Sequence, residues 1–350
     1  MPSWWPFVVG GAFVLCASLT PVWAGLAKRW GIVDVPRAGR KLHARSVPFF
    51  GGLSIFVAFA LPTLIVLFTN DHLTAGEIDP QHFFGFFVGA IVLLLGGVLD
   101  DKFDLPPRYT ILFPLLAAVA AVGFGIGVEK VTNPFGSVFV LTSGLSVLLT
   151  FGWLLGMTYT TKLLDGLDGL ATGVTMIGAV MIALLALSED FFQPDVAVLA
   201  LMFAAALVGF ILWNGYPAMI FLGEGGSTFL GFTLGILAVI AGSKLATILL
   251  VVGVPMLDVV FVIVRRWWEG RSMTSGDRTH LHHLLLAAGL SQRWILSLYL
   301  SIATLFGATT LIFESWQKLI ALGILVVTSG MAVSWLYKKY HRPSYEQKSE

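Results

Sequence analysis

Two aspartates three residues apart, in Lys162-Leu-Leu-Asp165-Gly-Leu-Asp168-Gly-Leu170, stand between long apolar runs. On a helix this spacing puts both carboxylates on one face. Ionised groups beside lipid are costly and mark function. Asp100-Asp101, followed by Lys102 and Asp104, closes another apolar run. Adjacent carboxylates repel, so they are expected to share a cation or a proton. Oxygen-only ligands at a phosphate site suit Mg²⁺, which takes one or two carboxylates plus substrate phosphates. In Asn214-Gly-Tyr-Pro217-Ala-Met-Ile-Phe221-Leu-Gly-Glu224-Gly-Gly-Ser227 a carboxylate precedes a glycine-rich entry into a helix. Free N–H groups at helix N-termini bind anions. Asn214 has the groups to read a base edge, and Phe221 a ring to stack on one. Arg278-Thr-His280-Leu-His282-His283 and the basic run Arg37, Arg40, Lys41, His43, Arg45 supply cations and imidazoles for a diphosphate or sugar.

Each cluster also has a plainer reading. The basic run is also what a topology-setting loop or headgroup anchor looks like, Asp100-Asp101 an interfacial cap, and Asn214 a helix-end cap. Asp258, inside an apolar run, is expected to pair with a basic residue. Asp165-Gly-Leu-Asp168-Gly lacks the twelve-residue spacing and terminal Glu of a calcium loop. The histidines have no cysteine, and no nearby carboxylate beyond Asp277, to complete a zinc set. Cys16 is the only cysteine, which excludes an intramolecular disulfide.

The elements that must position these groups are membrane helices. The 350-residue chain is 57% hydrophobic and 12% charged, about half the charged fraction of a soluble domain. About 20 apolar residues span a bilayer. The sequence predicts an all-α polytopic membrane protein with about eleven spans, near 5–26, 50–69, 82–99, 109–127, 142–161, 169–188, 194–213, 228–243, 245–264, 294–313 and 318–337. In that arrangement 18 of the 21 Lys and Arg residues fall on one side, leaving only Lys130, Lys244 and Lys318 on the other. The positive side is cytoplasmic, so the N-terminus is expected outside and the C-terminus inside. Residues 1–340 are then one membrane-embedded catalytic domain. Its cytoplasmic loops are 27–49, 100–108, 162–168, 214–227 and 265–293, and 341–350 form a polar tail. The first apolar run lacks a basic leader, and its positive residues Lys28 and Arg29 follow it, which favours a retained helix over a signal peptide.

In order along residues 31–290, the motifs Arg40-Lys41-x-His43 with Gly51-Gly52, Asp100-Asp101, Asp165-Gly-Leu-Asp168-Gly-Leu, Asn214-x-x-Pro217-Ala-x-Ile-Phe221-x-Gly223, and Asp277-Arg278-x-His280-x-His282-His283 resemble one known family. It is the polyprenyl-phosphate N-acetylhexosamine-1-phosphate transferases (glycosyltransferase family 4). The eleven-span layout and the last motif look like its N-acetylglucosamine branch rather than the enzymes acting on UDP-MurNAc-pentapeptide. The resemblance implies transfer of a sugar 1-phosphate from a UDP-sugar to a polyprenyl phosphate, with release of UMP, at the start of cell-envelope glycan synthesis. It implies Mg²⁺, with Mn²⁺ as a substitute, and a multi-pass protein of the inner or plasma membrane. Lipids are expected partners, nucleic acid is not, and a homodimer is compatible with the sequence. By motif, Asp100 falls at the acceptor phosphate and Asp101, Asp165 and Glu224 at the metal. Asp165 and Asp168 fall in the nucleotide region, Asn214 and Phe221 at the uridine, and His280, His282 and His283 at the sugar phosphate. The chain departs from the pattern in having Glu224 where Asp is usual, Tyr159 and Lys162 where Asn is usual, Arg108 for Lys and Pro114 for Gln. Lys162 is expected either to bind the diphosphate or to offset the crowded carboxylates.

Two other classes share some of these features. A secondary transporter also carries intramembrane charge, but near the midplane, whereas these motifs lie in loops and helix ends. A non-catalytic member of the family would keep the fold and tolerate the departures at Glu224 and Lys162.

Overall fold

The computed structural model describes residues 3–35, 46–76, 78–133, 137–242, 244–268, 270 and 280–340. The chain is an all-α polytopic membrane protein. Its helices are α1 (Trp5–Arg29), α2 (Gly51–Thr69), α3 (Pro80–Phe103), α4 (Pro107–Thr110), α5 (Leu112–Gly123), α6 (Ser143–Leu164), α7 (Leu170–Ala186), α8 (Pro194–Asn214), α9 (Gly223–Ile240), α10 (Leu245–Val251), α11 (Gly253–Trp268), α12 (Leu281–Ala287), α13 (Gln292–Ile312) and α14 (Ser315–Tyr340). Among the described residues the only sheet is two short antiparallel pairs. These are β1 (Val33–Asp34) with β2 (Val47–Pro48), and β3 (Lys130–Thr132) with β4 (Val138–Val140).

Every apolar run read from the sequence contains a helix. Among the described residues eight of these helices are long and apolar enough to cross a membrane, and α10 with α11 make a ninth if counted as one broken span. The remaining two runs give shorter apolar helices, Pro107–Gly123 and Leu170–Ala186. Two runs differ from expectation. Helix α9 begins at Gly223 rather than near residue 228, and so takes the glycine-rich entry into the helix. The run at 245–264 is bent by 80° between α10 and α11. Pro255 explains the break: it has no N–H for the Val251 carbonyl, and its ring would clash there in a continuous helix.

Helix α9 is the hub, buried along nearly its whole length against α3, α6, α2 and α7. At its apolar end Phe229 and Phe232 meet Phe86, and Phe229 meets Phe56 and Phe203 edge-on. At its N-terminal end the contacts are between backbones. A Cβ on Gly97 of α3 would lie 1.9 Å from the Gly225 nitrogen, and one on Gly52 of α2 would lie 2.2 Å from the Gly226 Cα. Small residues allow this approach, and in lipid it is a main source of helix association. The glycine-rich entry becomes helix, despite poor intrinsic propensity, because α2 and α3 close around it.

Candidate active site

The glycine contacts deliver the first carboxylate. Gly97 seats α3 on α9, and Asp101, one turn on, reaches the first turn of α9. The Glu224 N–H donates to both Asp101 carboxylate oxygens, at 3.1 and 3.2 Å. That N–H is among the unpaired donors of a helix N-terminus, where negative charge is favoured. Gly223 is part of the fit: its φ is +77°, and a Cβ there would meet Asp101 Oδ2 at 2.5 Å. Asp100, beside it, accepts from the Leu105 N–H at 2.9 Å and so fixes the turn that follows α3. The loop before α9 is clasped by residues 48–52: Phe221 N–H donates to Pro48, and the Gly51 and Gly52 N–H groups donate back to Phe221 and Leu222. This clasp brings the segment after the basic run against the segment before Glu224. It also sets the Phe49 and Phe221 rings 6.3 Å apart.

The opening motif lies across from α9. Lys162, in the last turn of α6, forms an ion pair with Glu224. Its ammonium also lies 5.8 Å from the Tyr159 ring centre. Asp165 caps α6, and the chain then turns through Gly166 to Asp168 and enters α7 at Leu170, with Gly169 at φ +75°. The sequence expectation of one helical face for Asp165 and Asp168 is replaced by a turn between two helices, and the two carboxylates do different things. Asp168 Oδ2 accepts from the Ala218 N–H at 2.9 Å, tying this turn to the loop before α9. Burial, and then the charges of Glu224, Asp101 and Asp168, push the Asp165 carboxyl well above the usual carboxylate range.

The histidines form the third wall. Asp258 of α11 accepts the Leu281 N–H at 2.8 Å and lies 3.0 Å from His280 Nδ1. His280 stacks on His282, with centres 5.8 Å apart and planes at 8°, and His282 contacts His283 at 4.3 Å. His282 packs on the aspartate turn: a Cβ on Gly166 would lie 2.4 Å from His282 Nε2. Burial, then the neighbouring His283 and His280, hold the His282 pKa well below the usual imidazole value.

The structure thus brings together Asp100, Asp101, Lys162, Asp165, Asp168, Glu224 and the three histidines. Arg40, Lys41, His43 and Arg278 lie outside the described residues. Asn214 is buried, and both ends of its amide serve the fold: Oδ1 accepts from Thr172, and the NH₂ donates to the Ile220 carbonyl. It braces the segment that carries Phe221. The basic partner expected for Asp258 is His280, and sequence reasoning missed that Asp258 also anchors the start of α12 through the Leu281 N–H. The signal was there, an acid inside an apolar run, but the partner lay 22 residues away. Sequence reasoning also missed that the glycines at 52, 97, 225 and 226 make the backbone contact that places Asp101.

Among the described residues no three His, Cys, Asp or Glu side chains are arranged to hold a metal ion. Of the expected ligands, Asp101 is turned to the α9 N-terminus and Glu224 to Lys162. The donor set still fits Mg²⁺. That ion needs only one or two carboxylates when substrate phosphates supply other ligands. Asp165, crowded by three other carboxylates, lies where positive charge is in deficit.

Residues 83–242 match the sequence model of a family described as glycosyl transferase family 4. The chain is 33% identical over 320 residues to a probable undecaprenyl-phosphate N-acetylglucosaminyl 1-phosphate transferase of Bacillus subtilis, covering 88% of this chain and 86% of the relative. It is 31% identical to a decaprenyl-phosphate N-acetylglucosaminephosphotransferase of Mycolicibacterium smegmatis, covering 87% and 81%. It is 27% identical to an undecaprenyl-phosphate alpha-N-acetylglucosaminyl 1-phosphate transferase of Escherichia coli K12, covering 77% and 72%.

Proposed function

The chain belongs to glycosyl transferase family 4, and from that premise we propose that it transfers N-acetylglucosamine 1-phosphate from UDP-GlcNAc to a polyprenyl phosphate, releasing UMP. The observation that carries this reading is the meeting of Asp101, Lys162, Asp165 and Glu224 where α3 and α6 end and α9 begins. We place that end at the cytoplasmic face of the cell membrane, with eleven crossings, the N-terminus outside and the C-terminus inside. The sorting of Lys and Arg supports the assignment.

In the reaction an oxygen of the acceptor phosphate attacks the donor phosphorus that carries the sugar. A new P–O–P bond forms, the bond to the UMP oxygen breaks, and UMP leaves with the electron pair. Such transfers depend on positioning and charge neutralisation more than on covalent work by the protein. Mg²⁺, held by Asp101, Asp165 and Glu224, would neutralise charge on the diphosphate and the leaving UMP. The chain's own residues do the rest. Asp101 is fixed by the α9 N-terminus, so its position is set before substrate arrives. Lys162 supplies a mobile positive charge. His280 and His282, aligned by Asp258, present imidazole edges to the sugar phosphate. A phosphate monoester has a second pKa of about 6, so the acceptor is already anionic and Asp100 serves to orient it rather than as a strong base. Direct transfer inverts configuration at phosphorus; retention with a chiral-phosphorus donor would instead mean a covalent aspartyl intermediate. The donor sugar is tested by offering purified protein a panel of UDP-sugars and measuring UMP. UDP-GlcNAc should be turned over fastest, and a preference for UDP-MurNAc-pentapeptide would reassign the donor.

A further inference from the structure

We propose that Lys162 is a tethered counter-ion. It holds Glu224 while the divalent ion is away, and the arriving ion takes Glu224 and releases the ammonium to the donor diphosphate. The inference rests on the transferase reading above and adds a competition built into this chain.

The first support is charge. Asp100, Asp101, Asp165, Asp168 and Glu224 gather at one end of the bundle, and among the described residues Lys162 is the cation within electrostatic range of Asp100 and Asp101 and paired with Glu224. The second is rigidity. Helices α6 and α9 pack backbone to backbone: a Cβ on Gly231 would lie 2.3 Å from the Met157 carbonyl oxygen and 2.2 Å from Thr161 Oγ1. The ends that carry Lys162 and Glu224 therefore stay together, and the pair opens by side-chain rotation rather than by helix movement. The third is access. The two side chains are 26% and 22% exposed, so the pair is partly open to solvent. A lysine suits the task because its charge is compact and rides on a flexible stem. The Tyr159 ring, 5.8 Å away, gives the ammonium a second attractive surface when it leaves Glu224.

An ion that needs Glu224 must first break this pair, so Lys162 weakens ion binding to the empty enzyme. The test uses full-length protein in detergent or nanodiscs, with Mn²⁺ binding followed by electron paramagnetic resonance and thermal unfolding measured in chelator. Lys162→Met should bind Mn²⁺ about three- to tenfold more tightly than wild type in the absence of nucleotide. In chelator its midpoint should fall, because the carboxylates lose their counter-ion, and added Mn²⁺ should restore it. Lys162→Gln serves as a second neutral variant if Lys162→Met does not fold, and it should shift Mn²⁺ binding in the same direction. Mn²⁺ affinity unchanged or weaker in the neutral variant overturns the proposal. So does an unchanged midpoint in chelator. Wild-type UMP release is read on the same preparation: normal transfer with unaltered Mn²⁺ affinity in the variant sinks only the counter-ion role, while absence of transfer sinks the transferase reading itself.

Discussion

The carboxylate wall and the histidine wall of the site are built differently. Asp101 and Glu224 sit on helices that touch through glycine backbones, so their separation is set by how closely α2, α3 and α9 pack. His280 and His282 sit at the start of a short helix and are placed through one buried acid, Asp258, which accepts from the Leu281 N–H and pairs with His280. Geometry set by backbone contact resists change until a side chain is added. Geometry set by one carboxylate fails when that group is altered.

The largest effects should come from the carboxylate wall. Asp101→Asn keeps the shape but removes a charge that faces the α9 N-terminus and the proposed metal. UMP release should fall by about 100-fold or more; near wild-type turnover would refute its role. Gly97→Ala tests the same wall through packing, because the added methyl would lie 1.9 Å from the Gly225 nitrogen. Displacing Asp101 by about 1 Å is enough for a loss of about 100-fold, with a lower unfolding midpoint.

Next comes the histidine wall. Asp258→Asn should lower turnover by roughly 10- to 100-fold through misplacement of His280. His280→Ala should add little to it, since both changes remove one unit. Additive losses would separate the two residues.

The walls should also respond to pH with opposite signs. The Asp165 pKa is raised in the folded protein. Its contribution to stability is therefore complete below the unfolded value of about 3.9 and is lost as pH rises through the folded value. The His282 pKa is depressed, so its contribution is present above the unfolded value of about 6.5 and is lost as pH falls below it. In chelator, Asp165→Asn should flatten the loss of stability on the alkaline side and His282→Gln the loss on the acidic side, both read as unfolding midpoint against pH. One variant flattening both limbs would show that the walls are not independent.

The smallest effect is expected behind both walls. Thr172→Val removes the donor to Asn214 Oδ1. It should cost about 1 kcal/mol of stability and only a few-fold in KM for the UDP-sugar, with kcat little changed.

Much of the molecule was legible in the sequence for a simple reason. A bilayer forces long apolar helices and makes every intramembrane charge conspicuous, so the helical runs and the carboxylates stood out. What could not be read were relations that depend on three-dimensional approach. The bend at Val252 required weighing one proline, Pro255, against an otherwise continuous apolar run. Asp165 and Asp168 have helical spacing yet lie in a turn, because the chain breaks between α6 and α7, where Gly169 takes a left-handed φ of +75°. The pairing of Lys162 with Glu224 joins two separate departures from the family pattern, and only the packing of α6 on α9 shows them to be one feature.

The central claim is that the carboxylate wall serves sugar-phosphate transfer to a lipid phosphate. The direct measurement is UMP release by the purified protein given UDP-GlcNAc, Mg²⁺ and undecaprenyl phosphate, with the lipid product followed in parallel. The account predicts UMP and lipid-linked GlcNAc diphosphate in equal amounts, dependent on the divalent ion and lowered by about 100-fold or more in Asp101→Asn. Absence of UMP with every UDP-N-acetylhexosamine offered, in a folded preparation supplied with lipid acceptor, would contradict it.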